Sequence, residues 1–157
     1  MPLVEAEMVA FLGRLFPDFG QQCVGATTEQ IERLERIAGR PLPAFYRWFL
    51  RTMGRSVGPF SKARQDLSID SILAAYDQDL VEPDPRLLLI AADTNEDDPM
   101  LGFYDLERSA RDDALVLTAR GYDGQPTRMY ETFREMFAHA NLVEFRIRSS
   151  PRYCRGA

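Results

Sequence analysis

The sequence is poor in the residues that most enzymes rely on. It has one histidine, His139, two cysteines, Cys23 and Cys154, and one lysine, Lys62, in 157 residues. A lone histidine with no nucleophile motif nearby gives little support to a serine or cysteine nucleophile, which needs a positioned base. His139 falls near the end of a helical pattern, where a structural histidine is the common case. Two cysteines are too few for a disulfide framework or a zinc site and are expected to stay reduced in a cytoplasm. The sequence also lacks a phosphate-cradling glycine loop and a dinucleotide fingerprint. Its longest apolar run, about 87–92, is too short to span a membrane, and no basic region precedes the apolar residues of the N-terminus. A cytoplasmic protein without a signal peptide, membrane span, cofactor or catalytic centre is the expectation. The net charge of -5 opposes direct nucleic-acid binding.

What is present fits a single domain of ordinary size, with 45% apolar and 27% charged residues. Its clearest local structure lies between Thr27 and Gly54. Thr27 or Thr28 can cap a helix, and Gln30 stands three residues after Thr27, as a capping box requires. Ile31, Leu34, Ile37 and Ala38 recur at helical spacing, and Gly39 suits the left-handed stop. Pro41 and Pro43 forbid continuation, and Pro43 fits the first turn of a second helix over 44–53, ended by Gly54. Phe45, Tyr46, Trp48, Phe49, Leu50 and Met53 make that helix apolar around much of its circumference, so Trp48 reads as core.

Elsewhere the pattern predicts an N-terminal helix over 2–16 and a loop over 19–26. Val57 and Phe60 suggest a short edge strand, and Ser68 or Asp70 caps a short helix carrying Ile72, Leu73 and Tyr76. Strands are predicted at 86–92, 100–106 and 114–119, the first two forming an antiparallel hairpin, and Asp123-Gly124 marks the next turn. Thr132 and Glu135 open a final helix through Ala140. In the arginine-bearing tail beyond it, Val143, Phe145 and Ile147 alternate with charged residues, as an edge strand would.

The order Ile31, Glu35, Gly39, Leu42-Pro43, an aromatic at Phe45 or Tyr46, and Phe49-Leu50 resembles the signature of the SUKH superfamily. The stretches LLLIAADTNEDDPMLGFYDL and TFREMF extend the resemblance over about residues 27–140. Where the family commonly has Asn-Gly after the second helix, this sequence has Met53-Gly54. The resemblance implies an α+β fold, a twisted and mostly antiparallel sheet covered by helices. It places a core over 27–140, flanked by an N-terminal helix and loop (1–26) and a C-terminal tail (141–157). It also implies a binding protein. In bacteria that is an immunity protein neutralising a cognate toxin, often a nuclease with a basic surface. The alternative is an intracellular regulatory or scaffolding domain with an endogenous partner, as in the fungal cell-wall assembly regulators.

Charge suggests where a partner would sit. Between residues 66 and 98 there are ten carboxylates against Arg86 alone, whereas 29–64 is net basic. Such asymmetry steers a basic partner, although an acidic run also serves as a plain solvated face. The expected contact face comprises Asp77, Asp79, Glu82 and Asp84 with Glu96, Asp97 and Asp98, and Tyr76, Phe103 and Tyr104 are its aromatic anchors. The run from Asp93 to Asp98 imitates the start of a calcium loop. It has Asp98 where that loop needs glycine and Tyr104 where it needs a bidentate glutamate, so no metal is expected. Glu35 is expected to accept backbone N–H groups near 42–45 and so cap the second helix, the other reading being a partner contact.

Overall fold

The computed structural model describes residues 5–60, 66–92, 99–109, 112–121 and 124–148. Within them the chain is α+β: six helices and a four-stranded antiparallel sheet in the order β1-β2-β3-β4. Helix α1 spans Glu5–Leu15, α2 Phe19–Gln22, α3 Thr28–Ala38, α4 Ala44–Met53 and α5 Ile69–Asp77. The strands are β1 Leu87–Ala92, β2 Met100–Ser109, β3 Ala114–Arg120 and β4 Thr127–Tyr130, and α6, Phe133–Arg148, closes the described fold.

The α3–α4 pair forms as its local signals dictate. Thr27 Oγ1 accepts the Gln30 N–H at 3.2 Å and Gln30 Oε1 accepts the Thr27 N–H at 3.0 Å, completing the capping box. Gly39 stops α3 at φ +71, a conformation glycine adopts without strain. Leu42 and Pro43 are buried, and Trp48 lies half-buried on the core with its ring 5.3 Å from Phe45. The Glu35 expectation does not hold, because no side chain caps α4. The Phe45 N–H instead donates to the Asp112 carbonyl at 2.8 Å, and Glu35 faces Arg47 at 3.3 Å. A helical carboxylate reaches a cation on the neighbouring helix more readily than backbone around the turn.

The sheet is a meander with Leu89, Phe103 and Leu117 in register across its first three strands. Side chains alternate across each strand, so Tyr104 faces opposite to Phe103. On Tyr104's side the sheet packs against α4 and α6. There the Tyr104 ring meets Tyr46 edge-on at 5.0 Å, and Phe133 lies 4.8 Å from Phe49 and 5.4 Å from Tyr46. These edge-to-face contacts put ring hydrogens against electron-rich faces, the favoured arrangement for packed aromatics.

Several local expectations change. The segment after α1 contains the short helix α2 within the predicted loop. Val57 and Phe60 are buried core residues outside any strand, and among the described residues their segment makes a single bridge, Val24 to Ser56. Strand β4 pairs with β3 although its four residues lack an apolar pattern. The tail alternation at Val143, Phe145 and Ile147 does not make a strand, because α6 continues to Arg148. Within a continuing helix, hydrogen bonds to the preceding turn satisfy the backbone without a sheet partner.

Candidate functional site

The connection from α5 to β1 forms one wall of an open cleft on the sheet face opposite Tyr104. Two residues beyond the end of α5, Asp79 sits at φ +56, a left-handed position that aspartate tolerates better than most residues. The Leu80 N–H then donates to the Ala75 carbonyl at 3.0 Å and turns the chain out of the helix. The far end of the connection is pinned as well. Arg40, just after α3, donates to the Pro85 carbonyl at 3.1 Å and to the Leu106 carbonyl at 2.9 Å. Arg86 reaches buried Asp105 at 3.2 Å. Tyr76 Oη accepts the Leu89 N–H at 3.0 Å, joining α5 to β1. A wall held at both ends is preorganised, so little ordering entropy remains to be lost when something binds.

The cleft holds about 500 Å³, within the range of about 300–1,000 Å³ typical of small-molecule sites. Its floor includes Leu87 of β1, Phe103 of β2 and Ala119 of β3, and Gly124 and Pro126 close the opposite side. Asp79, Glu82 and Asp84 stand along the pinned wall with Leu80, which is 42% exposed. Asp84 accepts the Arg86 N–H at 2.7 Å. The side-chain carboxylates of Asp79 and Glu82 have no hydrogen-bond or ion-pair partner among the described residues. Tyr76, on α5, is pushed up to about 12: burial dominates, the Leu89 N–H pulls the other way, and the Asp84 charge adds to the rise.

Four expected contact residues, Asp79, Glu82, Asp84 and Phe103, therefore meet in one cleft. Others do not join it. Tyr104 has no exposed surface and donates its hydroxyl to Asp113 at 2.8 Å, so it is a core residue and cannot anchor a partner. Tyr76 is 8% exposed with its hydroxyl bound to β1, which corrects its reading as a surface anchor. Phe103, also 8% exposed, contributes floor and no protruding ring. Asp77 is ion-paired with Arg33 of α3 and lines a different groove, of about 290 Å³, between α3 and α5. In that groove Asp70 is also partnered, by Arg55 at 3.2 Å and Gln30 at 2.7 Å. Glu96, Asp97 and Asp98 lie outside the described residues. Sequence reasoning missed Leu80, Leu87, Ala119, Gly124 and Pro126. The Asp123-Gly124 pair was a readable signal, but the place of Gly124 in the cleft lining was not.

His139 sits on the exposed side of α6, within the helix and not at its end, with Nδ1 3.0 Å from Tyr130 Oη. Among the described residues no group of three His, Cys, Asp or Glu side chains could hold a metal ion, and no helix is long and apolar enough to cross a membrane.

A helix pair laid against a four-stranded antiparallel meander, with a closing helix on the same face, defines an α+β domain of the SUKH kind. The model of the SMI1 / KNR4 family (SUKH-1) matches residues 25–139, and the chain belongs to that family. The matched span runs from just before α3 into α6 and contains the whole cleft. No curated protein matches the chain. The family includes toxin-immunity proteins and regulators, and its domains are generally non-catalytic modules that bind protein partners.

Proposed function

We propose that this protein is an immunity protein that neutralises a cognate antibacterial toxin by stoichiometric binding, with the acid-walled cleft as the docking face. Family membership supports a binding role, and the carboxylates of Asp79 and Glu82, unpartnered among the described residues and set on a pinned wall, carry the choice of face. Asp77 and Asp70 are ion-paired with Arg33 and Arg55, whereas the Asp79 and Glu82 carboxylates of the cleft have no ion-pair partner among the described residues. An outward field of one sign speeds encounter with a basic surface, and salt screens it. Closure over the cleft would then desolvate Leu80 and the floor, adding apolar burial to the steering.

The test is co-expression with the product of the adjacent gene, scoring cell survival and co-purification. Rescue together with a one-to-one complex supports the immunity reading. Absence of both, with an endogenous partner recovered in their place, favours a regulatory domain. Protection by catalytic amounts of this chain would indicate an enzyme.

A further inference from the structure

The cleft is lined by two unlike surfaces, and together they select one kind of occupant. The floor of Leu87, Phe103 and Ala119 offers apolar contact and no hydrogen-bonding side chain. The wall offers Asp79 and Glu82, neither neutralised among the described residues, with Asp84 beside them. An apolar ligand would leave the carboxylates without compensation, and an anion would be repelled by them. A compact hydrated cation would satisfy the wall and gain nothing from the floor. Arginine satisfies both: its methylene stem lies on apolar surface, and its weakly hydrated, planar guanidinium pairs with carboxylates in a forked geometry.

We propose, resting on the protein-binding reading above, that the cleft seats a single arginine side chain projecting from the partner. Its stem would lie over Phe103 and Leu87, and its guanidinium would lie between Asp79 and Glu82. The groove is the size of a ligand pocket and too small for a folded element, so the occupant is one protruding side chain with its flanking backbone. Pinning of the wall by Arg40 and by the Tyr76–Leu89 bond keeps the carboxylates in place before binding. The flanking backbone is then free to differ between partners while the arginine anchor stays the same.

The experiment needs no toxin. The full chain is titrated with acetyl-Gly-Arg-Gly-amide and with the same peptide carrying citrulline, the neutral isostere, while backbone amide signals are followed by NMR. The arginine peptide should give saturable shifts centred on Leu87, Phe103, Ala119 and Gly124, and the citrulline peptide should give none. The paired substitution Asp79→Asn and Glu82→Gln, at two exposed positions, should weaken arginine binding about ten-fold or more without changing the melting temperature. Equal shifts with citrulline, shifts centred on Asp70 and Asp77, or unchanged affinity in the variant would overturn the proposal. Arginine capture without rescue from a toxin would retain the cleft assignment and reject the immunity reading. Rescue without arginine capture would do the reverse.

Discussion

Asp113 Oδ2 lies 3.0 Å from Arg134 Nε, with the two side chains only 1% and 3% exposed. The Asp113 carboxylate also accepts the Tyr104 hydroxyl and the backbone N–H groups of Ala114, Phe133 and Arg134. It therefore ties β2, the start of β3 and the first turn of α6 together, and Arg134 continues outward to Asp112 and lies 5.0 Å over the Phe45 ring. Burial by itself pulls the Arg134 guanidinium down, but its bonds to Asp112 and Asp113 more than offset this and leave it above the usual arginine value.

Asp113→Ala should accordingly destabilise the fold by about 3–5 kcal/mol, the usual cost of stranding a buried charge. Arg134→Met should cost less, because Asp113 keeps its three backbone N–H donors and the Tyr104 hydroxyl. Denaturant unfolding of the two variants checks the order, and equal losses would argue against it.

The outer member of the network predicts a pH dependence. Bonding to Arg134 holds Asp112 below its ordinary value of 3.8, partly countered by burial. A carboxyl depressed in the fold adds stability that is fully present above 3.8 and fades as the pH falls through its lower folded value. Asp112→Asn should therefore flatten the acid limb of stability against pH and lower stability by a small, pH-independent amount in the neutral and alkaline regions. The side chain is 49% exposed, so solvent screening keeps the effect small.

Tyrosine titration probes the core. Of the six tyrosines, Tyr46 and Tyr104 are raised by burial above the ordinary 10.0, as is Tyr76, to about 12. Raised values in the fold stabilise it fully below pH 10 and progressively less as the pH climbs toward 12. Phenolate absorbance from these three tyrosines should rise only above the ordinary tyrosine range, together with unfolding. Tyr76→Phe should also leave the Leu89 N–H unpaired and cost about 1–3 kcal/mol.

How much of this was legible depended on how local the cause was. The Thr27–Gln30 box and the Gly39 stop act within a few residues and were readable directly. Glu35 was misassigned because its partner, Arg47, stands twelve residues away on another helix. Asp77 counted as a free acid until the fold brought it to Arg33, 44 residues earlier. Tyr104 and Phe103 are adjacent aromatics on opposite faces of β2, and only the register shows which one meets α4. Asp113 carried no signal at all, since its donors come from Tyr104, Phe133 and Arg134 in separate segments. The cleft was half-legible: its acids stand close together in sequence, but its floor comes from three strands.

A matched pair of glycine substitutions checks the packing of the chain between α2 and α3. A methyl group added at Gly25 would sit 1.9 Å from the Arg51 carbonyl oxygen, so Gly25→Ala should force a backbone shift and cost about 1–3 kcal/mol. Gly20, in α2, has nothing within 4 Å of the added atom, and Gly20→Ala should be neutral or stabilise by up to about 1 kcal/mol. Melting temperatures that move together for the two variants would contradict this packing.

The central claim, neutralisation by a partner steered to the cleft, is tested most directly by the rate of association with the adjacent-gene product at low and high salt. The wild-type rate should fall about ten-fold or more as salt rises, and the Asp79→Asn, Glu82→Gln variant should start slower and lose most of that dependence. Association that is equally fast in both proteins and indifferent to salt would contradict the account.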